Sequence, residues 1–431
     1  MNKLGRNFWI TLTVFSLVGQ VAWVIENMYF NVFIYKMFAA SPSDIAAMVT
    51  ASAVAATVTT LLIGALSDKL GKRKIFISGG YILWGISIAA FALLRVDVIS
   101  SVIPAVTSAA SVGITFVIVL DCVMTFFGSS ANDACFNAWL TDSTDQTNRG
   151  AAEGINAMMP LLAILVVFGS TLGMDNSDPR AWSVFFGIMG AVVVLIGILG
   201  FFIIKEPSLE SASGENYFAN IFYGFRPSVI KNNKTLYVSL GAFAIFGISI
   251  QIFMPYLILY YTEALKLDNY VFIMAPAVIL AAVATLFYGR LYDKYGFLKT
   301  VLPALAALGV GYLLFCFFTN TVLVFVASLL MMCGYLCGMA VFGALIREYT
   351  PENKAGRFQG LRIVGQVLIP GIIGPFIGQK VLANAQKVIG SDGTEAFIPN
   401  QNIFVAALIA ALVILPVLLP LARLMKKEKS Q

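Results

Sequence analysis

Of the 431 residues, 59% are hydrophobic and only 12% charged, about half the charged share of an ordinary soluble domain. No water-soluble core hides that much apolar surface, so the composition excludes a globular domain in water and points to an all-α polytopic membrane protein. The absence of histidine excludes Ser–His and Cys–His nucleophile pairs and most catalytic zinc sites, and it leaves carboxylates as the groups able to carry a proton.

The opening "MNKLGRNFWITLTVFSLVG" places Lys3 and Arg6 before an apolar run but lacks a small-residue cleavage site, so it reads as a retained first span. Charge clusters and turn residues divide the chain into twelve predicted helices, at 8–33, 45–66, 75–94, 114–140, 153–173, 182–204, 236–261, 270–291, 299–318, 321–346, 360–382 and 402–423. Segment 95–113 fits no span; it reads either as an outward extension of the third and fourth helices or as a re-entrant piece.

The N-terminus, the loops after the even-numbered helices and the C-terminal tail hold 22 of the 28 Lys and Arg residues. This bias predicts both termini in the cytoplasm of a plasma (inner) membrane protein. The net charge of +6 then reflects orientation, and a nucleic-acid partner is not expected. All five cysteines, Cys122, Cys135, Cys316, Cys333 and Cys337, lie in apolar segments without a Cys-x-x-Cys pair, and read as small buried hydrophobes.

The polar stretch 205–234 separates an N-terminal six-helix bundle, 1–204, from a C-terminal one, 235–431. The halves repeat. "GALSDKLGKRK" (Gly64–Lys74) and "GRLYDKYGFLK" (Gly289–Lys299) share a Gly-x-x-x-Asp-Lys-x-Gly frame offset by 225 residues. "DSTDQTNRGAAEG" and "EYTPENKAGRFQG" align without gaps at an offset of 206, pairing Asp142 with Glu348. The difference, 19, is the length of segment 95–113, which therefore reads as extra material in the first half. Internal repeats of this kind mark secondary transporters, in which substrate binds between the halves near the membrane midplane. In the loops, Gly64 is expected to let two helices approach closely, Asp68 to meet a helix N-terminus or a basic group, and Lys72, Arg73 and Lys74 to anchor the face.

In the first helix Gln20, Trp23, Asn27 and Asn31 recur at helical spacing and are expected on one face, with Glu26 about 100° round from Asn27. Amides beside an indole suit a sugar, whose hydroxyls need hydrogen bonds and whose C–H face stacks on an aromatic ring. The alternative use of such groups is hydrogen bonding between helices. In the fourth helix, at about 100° per residue, Asp121, Thr125, Ser129, Ser130, Asn132, Asp133 and Asn137 fall in one half of the circumference. Val123, Met124, Phe127, Gly128, Ala131, Ala134, Cys135 and Ala138 fill the other. That division is expected of a helix lining an aqueous or substrate cavity. Asp133, about 7 Å to the cytoplasmic side of the span's middle, is then a candidate coupling group, for a proton or for sodium.

The 225 offset sets Gln251 opposite Glu26 and Tyr256 opposite Asn31, so the second half keeps hydrogen-bonding groups and loses the acid. Pro255 is expected to break the seventh helix and free carbonyls. "PGIIGPFIG" (Pro370–Gly378) in the eleventh is expected to serve close helix packing.

The doubled Gly64 frame, Gln20-x-x-Trp23-x-x-Glu26, "NDACFNAWLTDSTDQTNRG" and "GRFQG" together resemble sugar:cation symporters of the major facilitator superfamily, in the glycoside–pentoside–hexuronide and sucrose:proton symporter branch. The resemblance implies a cation-binding role for the position of Asp133. It also shows departures: Ala56 and Thr60 stand where the first of these groups carries cation-binding aspartates, and Asn137 stands where sucrose transporters carry an arginine.

The expectation is a monomeric, cofactor-free symporter taking up a glycoside or oligosaccharide with a proton, or with sodium. Asp133, Glu26 and Asp121 are the coupling acids. Gln20, Trp23, Asn27, Asn137, Gln251 and Tyr256 are the substrate contacts, and Asp68, Arg73, Asp142, Asp293, Glu348 and Arg357 the gate. The rivals are a drug/proton antiporter or exporter of another small solute, and an intramembrane enzyme, for which the chain offers no GxSxG, GxGD or Walker signature.

Overall fold

The computed structural model describes residues 4–103, 108–145, 148–206, 222–351, 355–389 and 395–429. Among them, twelve helices are long and apolar enough to cross a membrane. Those of the first half are α1 (Arg6–Phe38), α2 (Pro42–Leu70), α3 (Lys74–Leu93), α4 (Ala109–Asp142), α5 (Arg149–Thr171) and α6 (Pro179–Ile203). Those of the second are α7 (Lys234–Ala264), α8 (Val271–Tyr295), α9 (Phe297–Phe317), α10 (Thr321–Tyr349), α11 (Gly360–Val381) and α12 (Asn402–Lys427). They fall into two compact units, Met1–Phe218 and Ala219–Gln431.

The units share part of their packing, but α9 packs chiefly on α10, and α12 more on α7 than on α9. α1 packs on α5, α2 on α4 and α3 on α6; α7 packs on α11, α8 on α10 and α9 on α12. Helix ends follow local chemistry. "SPSD" opens α2 with a capping box, in which Asp44 Oδ2 accepts from Ser41 N at 2.8 Å and Ser41 Oγ accepts from Asp44 N at 3.3 Å, and Pro42 takes the first turn. The repeated frame ends α2 at Gly71 (φ +62°) and α8 at Gly296 (φ +76°), backbone angles that favour glycine.

Segment 95–113 is partly resolved into structure. Val96–Val102 forms a short helix, 104–107 lie outside the described residues, and α4 begins at Ala109. Between α11 and α12, Lys387–Ile389 (β1) pairs antiparallel with Glu395–Phe397 (β2), an element the apolar periodicity does not signal.

Close helix contacts occur at glycines other than the one expected. A Cβ on Gly85 of α3 would lie 2.6 Å from Gly190 O of α6, and one on Gly190 would lie 2.6 Å from Gly85 O, so these two backbones touch. At Gly64 the nearest atom, Ala134 Cβ, is an ordinary 3.9 Å away, so the close approach expected there is not made. "PGIIGPFIG" does pack closely. A Cβ on Gly374 would meet Gln251 Cβ at 2.4 Å, one on Gly378 would meet Ile252 O at 2.6 Å, and Pro370 covers Gly247. At Pro255 the α-helical geometry is interrupted as expected: it ends at Phe253, Met254–Tyr256 forms one 3₁₀ turn, and the span then continues to Ala264.

Candidate functional site

Two stretches of the first unit leave α-helical geometry for π-helix, Ile25–Tyr29 in α1 and Ser129–Phe136 in α4. They carry Glu26 and Asp133. A π turn inserts one extra residue, so the face pattern beyond it lags by about 100°. This is why Asn27 and Asn31 do not share a face as their spacing predicts: Asn27 is exposed and Asn31 fully buried.

Glu26, at the start of the first π turn, is buried inside the helix bundle. Ser52 Oγ of α2 donates to Glu26 Oε1 at 2.5 Å, Thr125 Oγ1 of α4 donates to the same oxygen at 2.9 Å, and the two hydroxyls lie 2.9 Å apart. Asp121, one turn before Thr125, is buried and within electrostatic reach of Glu26. Among the described residues neither Glu26 Oε2 nor Asp121 Oδ1 has a hydrogen-bond partner. Buried acids within a span that keep an unpaired oxygen are candidates for handling an ion or proton.

Asp133 is half-buried and accepts from Ser129 Oγ at 2.9 Å. Beside it, Asn132 accepts from Trp23 Nε1 at 3.3 Å, and Trp23 packs on Trp84 with ring centroids 5.0 Å apart. Trp23 and Gln20 are half-buried; Asn27 and Asn137 are exposed and donate to backbone carbonyls one turn back, Trp23 O at 2.7 Å and Asp133 O at 3.1 Å. The outer face of α4 is thus apolar, with Val119, Val123 and Phe126 exposed, while Asp121, Thr125, Ser129 and Asn132 are buried. The sequence-based expectation of a polar half lining a cavity is corrected here. Helices α1, α2 and α3 contribute polar groups of their own, and in an apolar solvent these faces pair with one another inside the bundle. Only Asp133 and Asn137 retain the accessibility expected of the whole face.

In the second unit the buried bonds join neutral groups: Ser249 with Tyr312 at 3.1 Å, and Tyr261 with Ser328 at 2.5 Å. None of the Asp or Glu residues described there is buried. Gln251 is half-buried, whereas Tyr256 is fully buried against Phe397 and beneath Gly378, and its ring offers no surface to a ligand in this conformation.

Of the residues expected to gate, Arg73 forms the centre. Its guanidinium pairs with Asp68, donates from Nε to Asp142 at 3.1 Å and from Nη1 to Ser67 Oγ at 2.5 Å. Burial opposes the charged guanidinium, but Asp68 and Asp142 outweigh it and hold Arg73 above its ordinary value. Asp293 and Glu348 are exposed, and Glu348 accepts from Tyr292 OH at 2.8 Å. Arg357 lies on the helix Ala355–Ile363, with its side chain outside the description.

Sequence reasoning missed Ser52, Tyr81 and Glu206. Glu206 accepts from the backbone N–H of Arg73 and, at 3.2 Å, of Lys74, capping the start of α3. Its only sequence signal is being the first acid after the sixth span.

The family model described as Major Facilitator Superfamily matches residues 10–375 and, in a second match, 272–430. No curated protein matches the sequence. Among solved structures, the chain is similar to a variant of the nucleoside transporter NupG, with a TM-score of 0.72 and 13% identity over 96% of this chain and 99% of that one. It is similar to the occupied, inward-facing form of a bacterial homologue of the human lysosomal transporter Spinster, with a TM-score of 0.71 and 13% identity over 98% of each chain. It is also similar to the xylose transporter XylE from E. coli, with a TM-score of 0.67 and 11% identity over 94% of this chain and 97% of that one. At these identities the likeness is one of fold.

Proposed function

Because the chain belongs to the Major Facilitator Superfamily, we propose that this transporter couples the downhill entry of a proton, with sodium as the alternative ion, to uptake of a glycoside or oligosaccharide by alternating access. Asp133, Glu26 and Asp121 are the coupling acids. Trp23, Asn27, Asn137 and Gln20 are the sugar contacts contributed by the first unit, and Gln251 is the contact contributed by the second. The gate consists of Asp68, Arg73, Asp142, Asp293, Glu348 and Arg357. The protein acts as a monomer in the plasma (inner) membrane, with cytoplasmic termini and no cofactor.

The observation that supports the reading is a half-buried Trp23 whose indole donates to Asn132, the residue next to the half-buried Asp133 in the same helix. An aromatic face with nearby amides recognises a sugar ring, and a carboxyl in a span beside it supplies the ion site. In proteoliposomes, Asp133→Asn is expected to lose uphill accumulation under an imposed pH gradient while retaining sugar exchange. Continued accumulation by the mutant removes Asp133 from the coupling role. A thermal-shift screen of glycosides, nucleosides and lipophilic cations separates the substrate classes; stabilisation by lipophilic cations alone favours a drug/proton antiporter.

A further inference from the structure

A closed chain of three hydrogen bonds crosses the first unit. Trp23 Nε1 on α1 donates to Asn132 Oδ1 on α4 at 3.3 Å. Asn132 Nδ2 donates to Tyr81 OH on α3 at 2.8 Å, and Tyr81 OH donates to Phe15 O, back on α1, at 2.6 Å. The donor inventory fixes every direction. Tyr81 has one hydroxyl hydrogen, which Phe15 O receives, so its oxygen accepts from Asn132. The amide must then present its oxygen to the indole, which can only donate.

The chain is also packed without slack. A Cβ on Gly19 would lie 2.3 Å from Asn132 Nδ2 and 2.6 Å from Tyr81 OH; one on Gly80 would lie 2.6 Å from Ala131 Cβ; one on Gly128 would lie 2.6 Å from Trp84 and 3.0 Å from Trp23. Tyr81 is fully buried and Asn132 nearly so. A displacement of Asn132 therefore has nowhere to go except along the chain.

Asp133 is the next residue on the same π-helical segment, tied to Ser129 one turn back. The titratable groups in its electrostatic reach from the neighbouring helices are Glu26 on α1 and Tyr81 on α3, and Asp121 follows behind Glu26. A π segment is a sparsely used backbone geometry, frequent at functional sites. Loosening the Ser129 bond when Asp133 changes charge moves the backbone that carries Asn132.

We infer that Asn132 and Tyr81 are positioning residues that pass the protonation state of Asp133 to the indole of Trp23, so that ion binding sets the orientation of the sugar-facing ring. The inference rests on Asp133 being the coupling acid. It makes the link between ion and sugar a local property of one unit, carried by groups that touch neither ligand. A coupling of this kind is typically worth about 5-fold to about 150-fold in affinity.

The test uses the full chain in lipid nanodiscs, labelled with fluorotryptophan, with protons as the only ligand. Fluorine NMR resolves the five tryptophans, and Trp23→Phe assigns the resonance of Trp23. As pH is taken from about 4 to about 9, which spans ordinary and perturbed carboxyls alike, the Trp23 resonance is expected to titrate. Asp133→Asn should abolish that titration. Asn132→Ala and Tyr81→Phe should each remove most of its amplitude. Tyr81→Phe keeps the ring and its packing, so a loss in that variant at an unchanged melting temperature is not a folding defect. A pH-invariant Trp23 resonance in the unmodified protein overturns the inference. So does a titration that survives undiminished in both relay variants, since the field of Asp133 then acts directly through space. If Asp133→Asn abolishes proton-driven uptake but the relay variants titrate normally, only this inference fails. If Asp133→Asn still accumulates sugar, the coupling assignment fails instead.

Discussion

Arg73 Nε donates to Asp142 Oδ2 at 3.1 Å, fastening the loop after α2 to the end of α4. Among the described residues, the equivalent fastening in the second unit has no arginine. The 225 offset places Leu298 opposite Arg73 and Tyr292 opposite Ser67, and Tyr292 OH reaches Glu348, the repeat partner of Asp142, at 2.8 Å. Among the described residues, a buried guanidinium shared by two partly exposed carboxylates joins this region in one unit, and an exposed hydrogen bond between neutral and acidic groups joins it in the other.

This asymmetry predicts unequal costs of removal. Arg73→Gln leaves Asp68 and Asp142 without their shared cation and should destabilise the protein by about 1–3 kcal/mol. Tyr292→Phe should cost under about 1 kcal/mol, because its partner is solvated. Chemical unfolding of the purified variants measures both; equal losses contradict the asymmetry.

The Arg73 bridge also has a predictable pH response. Asp68 and Asp142 hold the folded pKa of Arg73 above the ordinary arginine value. A raised pKa contributes stability that is fully present below the unfolded value and is lost only as pH climbs through the folded one. The difference in stability between the wild type and Arg73→Gln should therefore stay flat from neutral pH to about pH 10. A bridge that weakens over that interval contradicts the assignment.

Glu26 accepts two hydroxyl hydrogens on one oxygen, from Ser52 and Thr125. Under the proposed coupling role, Glu26→Gln should reduce pH-driven sugar accumulation in proteoliposomes by at least about tenfold, a loss of about 1.4 kcal/mol. Ser52→Ala leaves one donor in place and should lie between that variant and the wild type. Full accumulation by Glu26→Gln excludes it from coupling.

Substitution at the glycines should track the space each one faces. Gly64→Ala meets nothing closer than 3.9 Å and should be neutral, or stabilising by up to about 1 kcal/mol, as expected for removing a helix-interior glycine. Gly190→Ala drives a methyl against the α3 backbone and should cost about 1–3 kcal/mol. Melting temperatures in a single detergent rank the two; the reverse order contradicts the packing described.

The sequence by itself determined the twelve spans, because crossing hydrocarbon demands about 20 consecutive apolar residues and charge clusters punctuate them. It also determined the repeat, down to the glycines that end α2 and α8, because a left-handed cap residue leaves a fixed mark in the chain. It singled out Glu26 and Asp133, because a carboxylate within a span is costly and conspicuous.

Which way those acids face was decided only by the tertiary structure. A constant 100° per residue carries no sign of the π turns at Ile25–Tyr29 and Ser129–Phe136, which shift the register of everything beyond them. A polar stripe on one helix does not say whether water or another helix satisfies it. Here Ser52, Tyr81 and Trp23, far apart in the chain, satisfy most of the α4 stripe within the bundle and leave Asp133 as its accessible acid.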